Sequence, residues 1–218
     1  YTDDIEYKTD RKDVFIFGSL KIARIAKNFG WYPASLMNDN HDYEVYKNYY
    51  KENLLNYDSV IHNFSDDIIF DTEYKFIRPC LDTKIFTGGV FNKDEWEAKK
   101  EIVLNHSKIV NSDTKIQVAE PTNIYKEIRF WVVDGEVITG SQYRLGGRVC
   151  YDKLYDEPAR EFAQAMVDKF QLAKAFVIDV CLVSDGWKIV EAGCINCAGF
   201  YHADLYKVIV ALENLYEN

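Results

Sequence analysis

Asp179 and Glu191 lie in two apolar runs, residues 176–183 and 187–192, separated by Ser184-Asp185-Gly186. If that triplet is the loop of a β-hairpin, Val183 pairs with Trp187, and the register sets Asp179 opposite Glu191. Both acids then leave one face, while Phe176, Ile178, Val180, Val190 and Ala192 occupy the other. Like charges directly opposite on a sheet repel unless a positive group stands between them. A divalent cation is an economical answer: Mg²⁺ bound with nucleotides takes one or two carboxylates and fills its shell with phosphate oxygens. A one-residue slip would separate the two acids, and spacing alone leaves both readings open.

Basic residues suited to anions stand upstream. Residues 127–133 and 136–143 read as a hairpin on Asp134-Gly135, a strong two-residue turn signal. A two-residue turn pairs Val133 with Glu136, so Arg129 faces Gly140 and Glu127 faces Gln142. One face carries Glu127, Arg129 and Gln142, with Arg144 near its continuation; the other carries Ile128, Phe130, Val132, Val137 and Tyr143. Such a row is either a solvated ion-pair stripe or a set of guanidiniums for phosphate oxygens. A third segment, Phe76-Ile77-Arg78-Pro79 followed by Asp82, Lys84, Phe86 and Gly88-Gly89, ends a strand in a cation. Its glycine-containing turn could set backbone N–H groups over phosphates.

The elements that must position these residues follow from periodicity. Residues 14–17 form a short apolar run ending at Gly18. Ser19 caps a helix carrying Leu20, Ile22, Ala23 and Ala26, closed by Gly30. This α/β unit lacks a glycine-rich phosphate loop. Residues 41–55 are helical, with Tyr43, Tyr46, Tyr49 and Tyr50 as a packing face. A strand is expected at 59–61, and 63–72 is a polar boundary. Strands are expected at 74–79, 84–91 and 115–120, with a helix from the Asn92 cap through Leu104. Further helices are expected from Asp156 to about Leu172 and from about His202 to Tyr216. The sum is an α+β fold: an N-terminal α/β domain (1–73), then two lobes of antiparallel sheet with helices (74–218, divided near 120).

Composition limits the function classes. The 218-residue chain carries 26 Lys+Arg against 35 Asp+Glu, a net charge of −9, which argues against nucleic acid as the main partner. No apolar run approaches the roughly 20 residues of a membrane span. The five cysteines, Cys80, Cys150, Cys181, Cys194 and Cys197, are odd in number and scattered, reading as reduced thiols of a cytoplasmic protein (host cytoplasm if the source is viral). Cys194 and Cys197 have the spacing of half a zinc site without its second pair, and are expected to be packing residues.

With these segments in order, the chain resembles an ATP-grasp enzyme. FIRPCLDTKIFTGGVF resembles the first-lobe strand and lid loop, with Arg78-Pro79 where most members have Lys-Pro. IQVAEP resembles the strand leading to the adenine hinge. EIRFWVVDGEVITGSQYR resembles the hairpin opening the second lobe, and FVIDVCLVSDGWKIVEAGCINCAGFY the metal-binding hairpin. The Arg-Pro, Glu-x-Arg and Ser-Gln-Tyr-Arg pattern is similar to a divergent clade that includes bacteriophage proteins and the eukaryotic initiation-factor-2 assembly chaperone. The resemblance covers about residues 74 to 217.

It implies ATP and Mg²⁺ as cofactors and ligation of a carboxylate to an amine through an acyl-phosphate, with a peptide or protein among the conceivable substrates. Arg78 and Lys84 would hold the α- and β-phosphates, and backbone near Glu120 would read adenine. Arg129 and Arg144, with Lys84, would neutralise the transferred phosphoryl group. Asp179 and Glu191 match the family's metal acids. Its usual asparagine two residues on is Gly193 here, and Asn196 is the nearest replacement. The alternative implied function is a nucleotide-dependent binding or assembly factor without ligation, and a third is a scaffold that has lost ATP.

Overall fold

The computed structural model of the chain describes residues 9–18, 20–81, 86–107 and 110–217. Strand β1 (Asp13–Phe15), helix α1 (Leu20–Asn28) and strand β2 (Tyr32–Ala34) form a small parallel unit in which Val14 pairs with Pro33. Ser19, the expected cap, lies outside the described residues. Two strands cannot hold themselves together in water, and this unit closes around Ile16, Ala26, Trp31 and Ala34. Asn196 ties it to the rest of the molecule. The Asn196 Nδ2 donates to the carbonyls of Ile16 and Ala34 at 2.6 and 3.2 Å, and its Oδ1 accepts from the Leu36 amide at 2.8 Å.

Helix α2 (Tyr43–Tyr50) starts where the Asp42 carboxylate accepts from the Glu44 amide. Tyr43, Tyr46 and Tyr50 are buried at helical spacing. Tyr49 departs from the expected packing face: it is half exposed and stacks on Phe170 at 3.8 Å. Strand β3 (Val60–Asn63) pairs antiparallel with β6 (Lys115–Ala119), which pairs with β4 (Lys75–Pro79) and through it with β5 (Gly89–Phe91). Residues 60–63, expected in the N-terminal domain, thus complete the first-lobe sheet. Helix α3 (Lys93–His106) enters on a reciprocal cap between Asn92 and Glu95 and buries Trp96 against Phe64 and Phe86.

The second lobe is a five-stranded antiparallel sheet of β7 (Lys126–Val133), β8 (Glu136–Leu145), β9 (Arg148–Asp152), β10 (Ala175–Val183) and β11 (Gly186–Cys194), ordered β11-β10-β7-β8-β9. Strand β9 follows the Gly146-Gly147 turn and is not among the expected elements. The β7–β8 turn forms as expected: Asp134 and Gly135 take φ of 49° and 82°, the left-handed pair that a two-residue hairpin requires. Helix α4 (Glu157–Lys169) covers one face over Ile128, Phe130, Val132, Phe176 and Ile178. Helix α5 (Leu205–Tyr216) covers half of the other over Trp131, Val133, Ala175 and Val177. The uncovered half of that second face carries the charged side chains. No helix among the described residues is long and apolar enough to cross a membrane.

Replacing Asn196 with alanine removes the donors and acceptor that anchor the N-terminal unit. With roughly 1 kcal/mol per bond and buried carbonyls left unpaired, the variant should lose about 3 kcal/mol in chemical denaturation. It should also become sensitive to proteolysis within residues 9–37. A loss below about 0.5 kcal/mol with unchanged proteolysis would show that the unit is held by other contacts.

Candidate functional site

A cleft of about 800 Å³ opens between the two sheets, within the roughly 300–1,000 Å³ range of small-molecule sites. Phe76, Arg78, Pro79, Phe86 and Gly88 line it from the first lobe, and Glu127, Arg129, Tyr143, Arg144, Asp179 and Glu191 from the second. The loop after β6 adds Pro121, Thr122, Asn123 and Ile124.

Asp179 stands opposite Glu191 on β11, as expected, and opposite Arg129 on β7. The route to that register differs from the sequence expectation. Val183 pairs with Gly186, so the loop is two residues long, and a bulge at Val190 restores the lost residue between Ile189 and Glu191. Ile189 therefore packs in the core where simple alternation puts Val190, and Val190 lines the cleft. Two further bulges displace the first hairpin: Arg129 pairs with Ser141, Ile128 with Gln142 and Glu127 with Arg144. Gln142 thus leaves the Glu127 and Arg129 face, its amide reaching the Cys150 sulfur at 3.5 Å. Tyr143, expected on the apolar face, occupies the second bulge and turns into the cleft.

The positive group between the opposed acids is a guanidinium. Arg129 Nε and Nη2 donate to the two Asp179 oxygens at 2.7 and 2.8 Å, and Nη2 lies 3.8 Å from Glu191. Arg78 pairs with Glu191 from the first lobe. Gly88 allows that approach, since a Cβ there would meet Arg78 Cβ at 2.5 Å. Arg144 Nη1 lies 3.2 Å from Glu127. The Tyr143 hydroxyl donates to Glu127 at 2.7 Å and lies 3.3 Å from Asp179. Three arginines and three carboxylates thus balance in the cleft among the described residues.

Burial pushes the Asp179 carboxyl up, and Glu191 and Glu127 add to this; Arg129 pulls it down without restoring the usual range. Burial works against the charge on Arg129, but Asp179 outweighs it, and the guanidinium stays protonated. Tyr143 is held well above the usual phenol range by burial and by Asp179 and Glu127 beside it, so it remains a neutral donor. Such a set can receive a polyanion on its arginines and a hard cation on Asp179 and Glu191, two oxygen-donor residues that suit magnesium when phosphate oxygens complete the shell.

Other expected site residues are placed elsewhere. Asn196 is spent on the N-terminal unit and does not line the cleft, which corrects its expected role as third metal ligand. The Glu120 carboxylate pairs with Lys75 and accepts from Thr72 at 2.9 Å on the far side of the first-lobe sheet. The residues just after it, Pro121 to Ile124, line the cleft, and Glu120 does not. Lys84 lies outside the described residues. The cysteines form no disulfide, and the described residues hold no metal-ready group of three His, Cys, Asp or Glu. Sequence reasoning misses Glu127 and Tyr143 as site residues. Glu127 is legible as one member of the charged stripe, whereas nothing in the sequence marks the bulge that turns Tyr143.

A family model for an ATP-grasp domain, family 3 of its clade, matches residues 22–212. Two solved structures of D-alanine–D-alanine ligase from Bacillus anthracis, the second complexed with ATP, superpose with a TM-score of 0.59 each. They are 13% and 15% identical, covering 89% and 88% of this chain and 70% and 67% of their own. A RimK domain ATP-grasp protein from Sphaerobacter thermophilus DSM 20745 gives a TM-score of 0.55 at 14% identity, over 78% of this chain and 67% of that one. No curated protein sequence matches. At these identities the likeness is one of fold, and it agrees with the α+β, two-lobed architecture.

Arg129→Gln leaves three carboxylates facing one another, with an expected loss of about 3–5 kcal/mol. Without the guanidinium, Asp179 is held further above its unfolded value. The folded state then binds protons more readily, so the variant's stability is retained at low pH and lost as pH rises through that raised pKa. Denaturation at pH 5 and pH 8 should therefore show the larger deficit at pH 8; equal deficits would contradict the charge balance. Burial pushes the thiols of Cys80 and Cys181 up to about 12, and Cys194 is buried as well. At pH 8 a chromogenic disulfide reagent should react quickly with no more than the partly exposed Cys150 and Cys197. Fast reaction of a third thiol in the native protein would refute the packing role.

Proposed function

The chain belongs to the ATP-grasp domains, in family 3 of its clade, and on that premise we propose that it is an ATP-dependent ligase joining a carboxylate to an amine. The observation that carries this reading is the convergence of Arg78, Arg129 and Arg144 with Asp179 and Glu191 in one inter-lobe cleft. Arg78, reaching in from β4 beside Glu191, and Arg144, half exposed beside Glu127, would take phosphate oxygens. Arg129 orients Asp179 and supplies fixed positive charge beside the position where negative charge would develop. The segment from Pro121 to Ile124 supplies backbone groups for the base. Asp179 and Glu191 would hold magnesium, which supplies charge neutralisation of the transferred phosphoryl group.

In the proposed sequence the carboxylate takes the terminal phosphoryl group of ATP to form an acyl-phosphate and ADP. An amine then attacks its carbonyl carbon, and phosphate leaves. The chain's own work is to position both partners between the lobes and to exclude water. Kinship with bacteriophage proteins and the initiation-factor-2 assembly chaperone belongs to this proposal, resting on the Arg-Pro, Glu-x-Arg and Ser-Gln-Tyr-Arg pattern. Use of a peptide or protein substrate and a place in the cytoplasm belong to it as well.

Calorimetry with ATP and magnesium tests the nucleotide site, and ADP release with pooled amino acids and short peptides tests ligation. Asp179→Asn should keep the fold, because Glu191 remains beside Arg129, while weakening magnesium-dependent ATP binding at least tenfold, about 1.4 kcal/mol. Unchanged affinity would remove Asp179 from the site. ATP binding without amine-dependent turnover would favour the assembly-factor alternative.

A further inference from the structure

We propose that Glu127 is the receptor for the amine substrate, taking a primary ammonium group at its Oε1 and then accepting a proton from it. The proposal rests on the ligase reading and assigns it an acceptor subsite. Glu127 is 5% exposed, lines the cleft, and has one oxygen committed to the Tyr143 hydroxyl. The other, Oε1, is buried and accepts no hydrogen bond among the described residues; Arg144 lies near it as an ion pair without hydrogen-bond geometry. A buried carboxylate oxygen without a donor is costly, and a ligand donor is one way to satisfy it.

Arg144 is a weak permanent partner. Its side chain is 49% exposed, where solvent screens the pair, and it stands at the rim where an incoming phosphoryl anion would compete for it. Once the anion draws Arg144 away, Oε1 is left without that ion pair, while the Tyr143 hydroxyl stays on the other oxygen. The group that fills that position must be cationic and must donate a hydrogen bond.

The surroundings define the pocket further. Tyr201 stacks on Tyr143 at 5.0 Å and on Tyr151 at 5.2 Å, and Arg129 lies 5.2 Å from the Tyr201 ring. Tyr201 holds a φ of 52°, a strained value for a non-glycine residue, kept in place because Phe200 stacks on buried Trp131 at 4.4 Å. Tyr143 and Tyr201 line the same cleft as Glu127, and the stack continues from the ring that bonds its carboxylate. A primary ammonium fits, and it has protons to lose, which a quaternary one lacks. In the coupling step Glu127 first takes one proton from the ammonium, freeing the nitrogen lone pair. The amine nitrogen then bonds to the acyl carbon, the carbon–oxygen bond to phosphate breaks with its electron pair, and the departing phosphate carries off the second proton from nitrogen.

Titration of ring-labelled protein with n-butylammonium chloride, in the presence of ATP and magnesium, tests the subsite by NMR of the tyrosine rings. Saturable shifts at Tyr143 and Tyr201 are expected, absent with n-butanol and weakened at least fivefold in Glu127→Gln. Tyr201→Leu, which leaves the acid in place, should weaken binding less and serves if Glu127→Gln fails to fold. Unshifted rings, or equal affinity in Glu127→Gln, would overturn the subsite. Nucleotide binding in the same sample separates the cases: ATP bound without ammonium binding refutes the subsite alone, and absence of ATP binding refutes the ligase reading beneath it.

Discussion

Two acids that repel each other, Asp179 and Glu191, are held side by side on neighbouring strands, and the rest of the cleft is organised around that conflict. Arg129 from the next strand grips Asp179 with two hydrogen bonds, and Arg78 crosses from the other lobe to Glu191. A single row across the sheet, Ser141, Arg129, Asp179, Glu191, therefore sets a cation beside the opposed acids. Because Arg78 belongs to the first lobe, the same charge balance also links the lobes across the cleft. Buried ion pairs of this kind contribute little net stability relative to an apolar core.

The five-stranded sheet separates two tasks on its two faces. One face is largely apolar and packs on α4, where Phe130, Phe176 and Ile178 are fully buried. The other is divided: α5 covers its apolar half, and the uncovered half carries Glu127, Arg129 and Asp179. The charged side chains thus stand on strands whose reverse side is tightly packed. Such backing fixes their geometry better than a loop would, and preorganised charge is what phosphoryl chemistry asks of a protein.

Bulges set the details of the site. Each inserts one residue into a strand and exchanges the faces of the residues beyond it. At Val190 the insertion keeps Glu191 opposite Asp179 despite a two-residue loop. Near Tyr143 it carries a phenol from the apolar side into the cleft, where burial and two carboxylates keep it protonated. Asn196 shows the complementary case: a polar residue just past β11 whose bonding capacity is absorbed by the N-terminal unit.

Local composition was enough to mark the hairpins, the turn at Asp134-Gly135, the helix cap at Asn92, the opposed acids and the arginines that face them. These depend on contacts a few residues apart, where alternation and turn chemistry act directly. The family pattern was legible too, because its motifs sit on those same hairpins. The sequence could not reveal the bulges, since strict alternation has no place for an inserted residue, and so it misplaced Tyr143, Gln142 and Val190. Nor could it tell that β3 joins the first-lobe sheet, that Glu120 turns away to Lys75, or that Asn196 serves the N-terminal unit. Those outcomes are decided by partners 45 to 180 residues distant, and only the packed tertiary structure determines which of them a polar side chain meets.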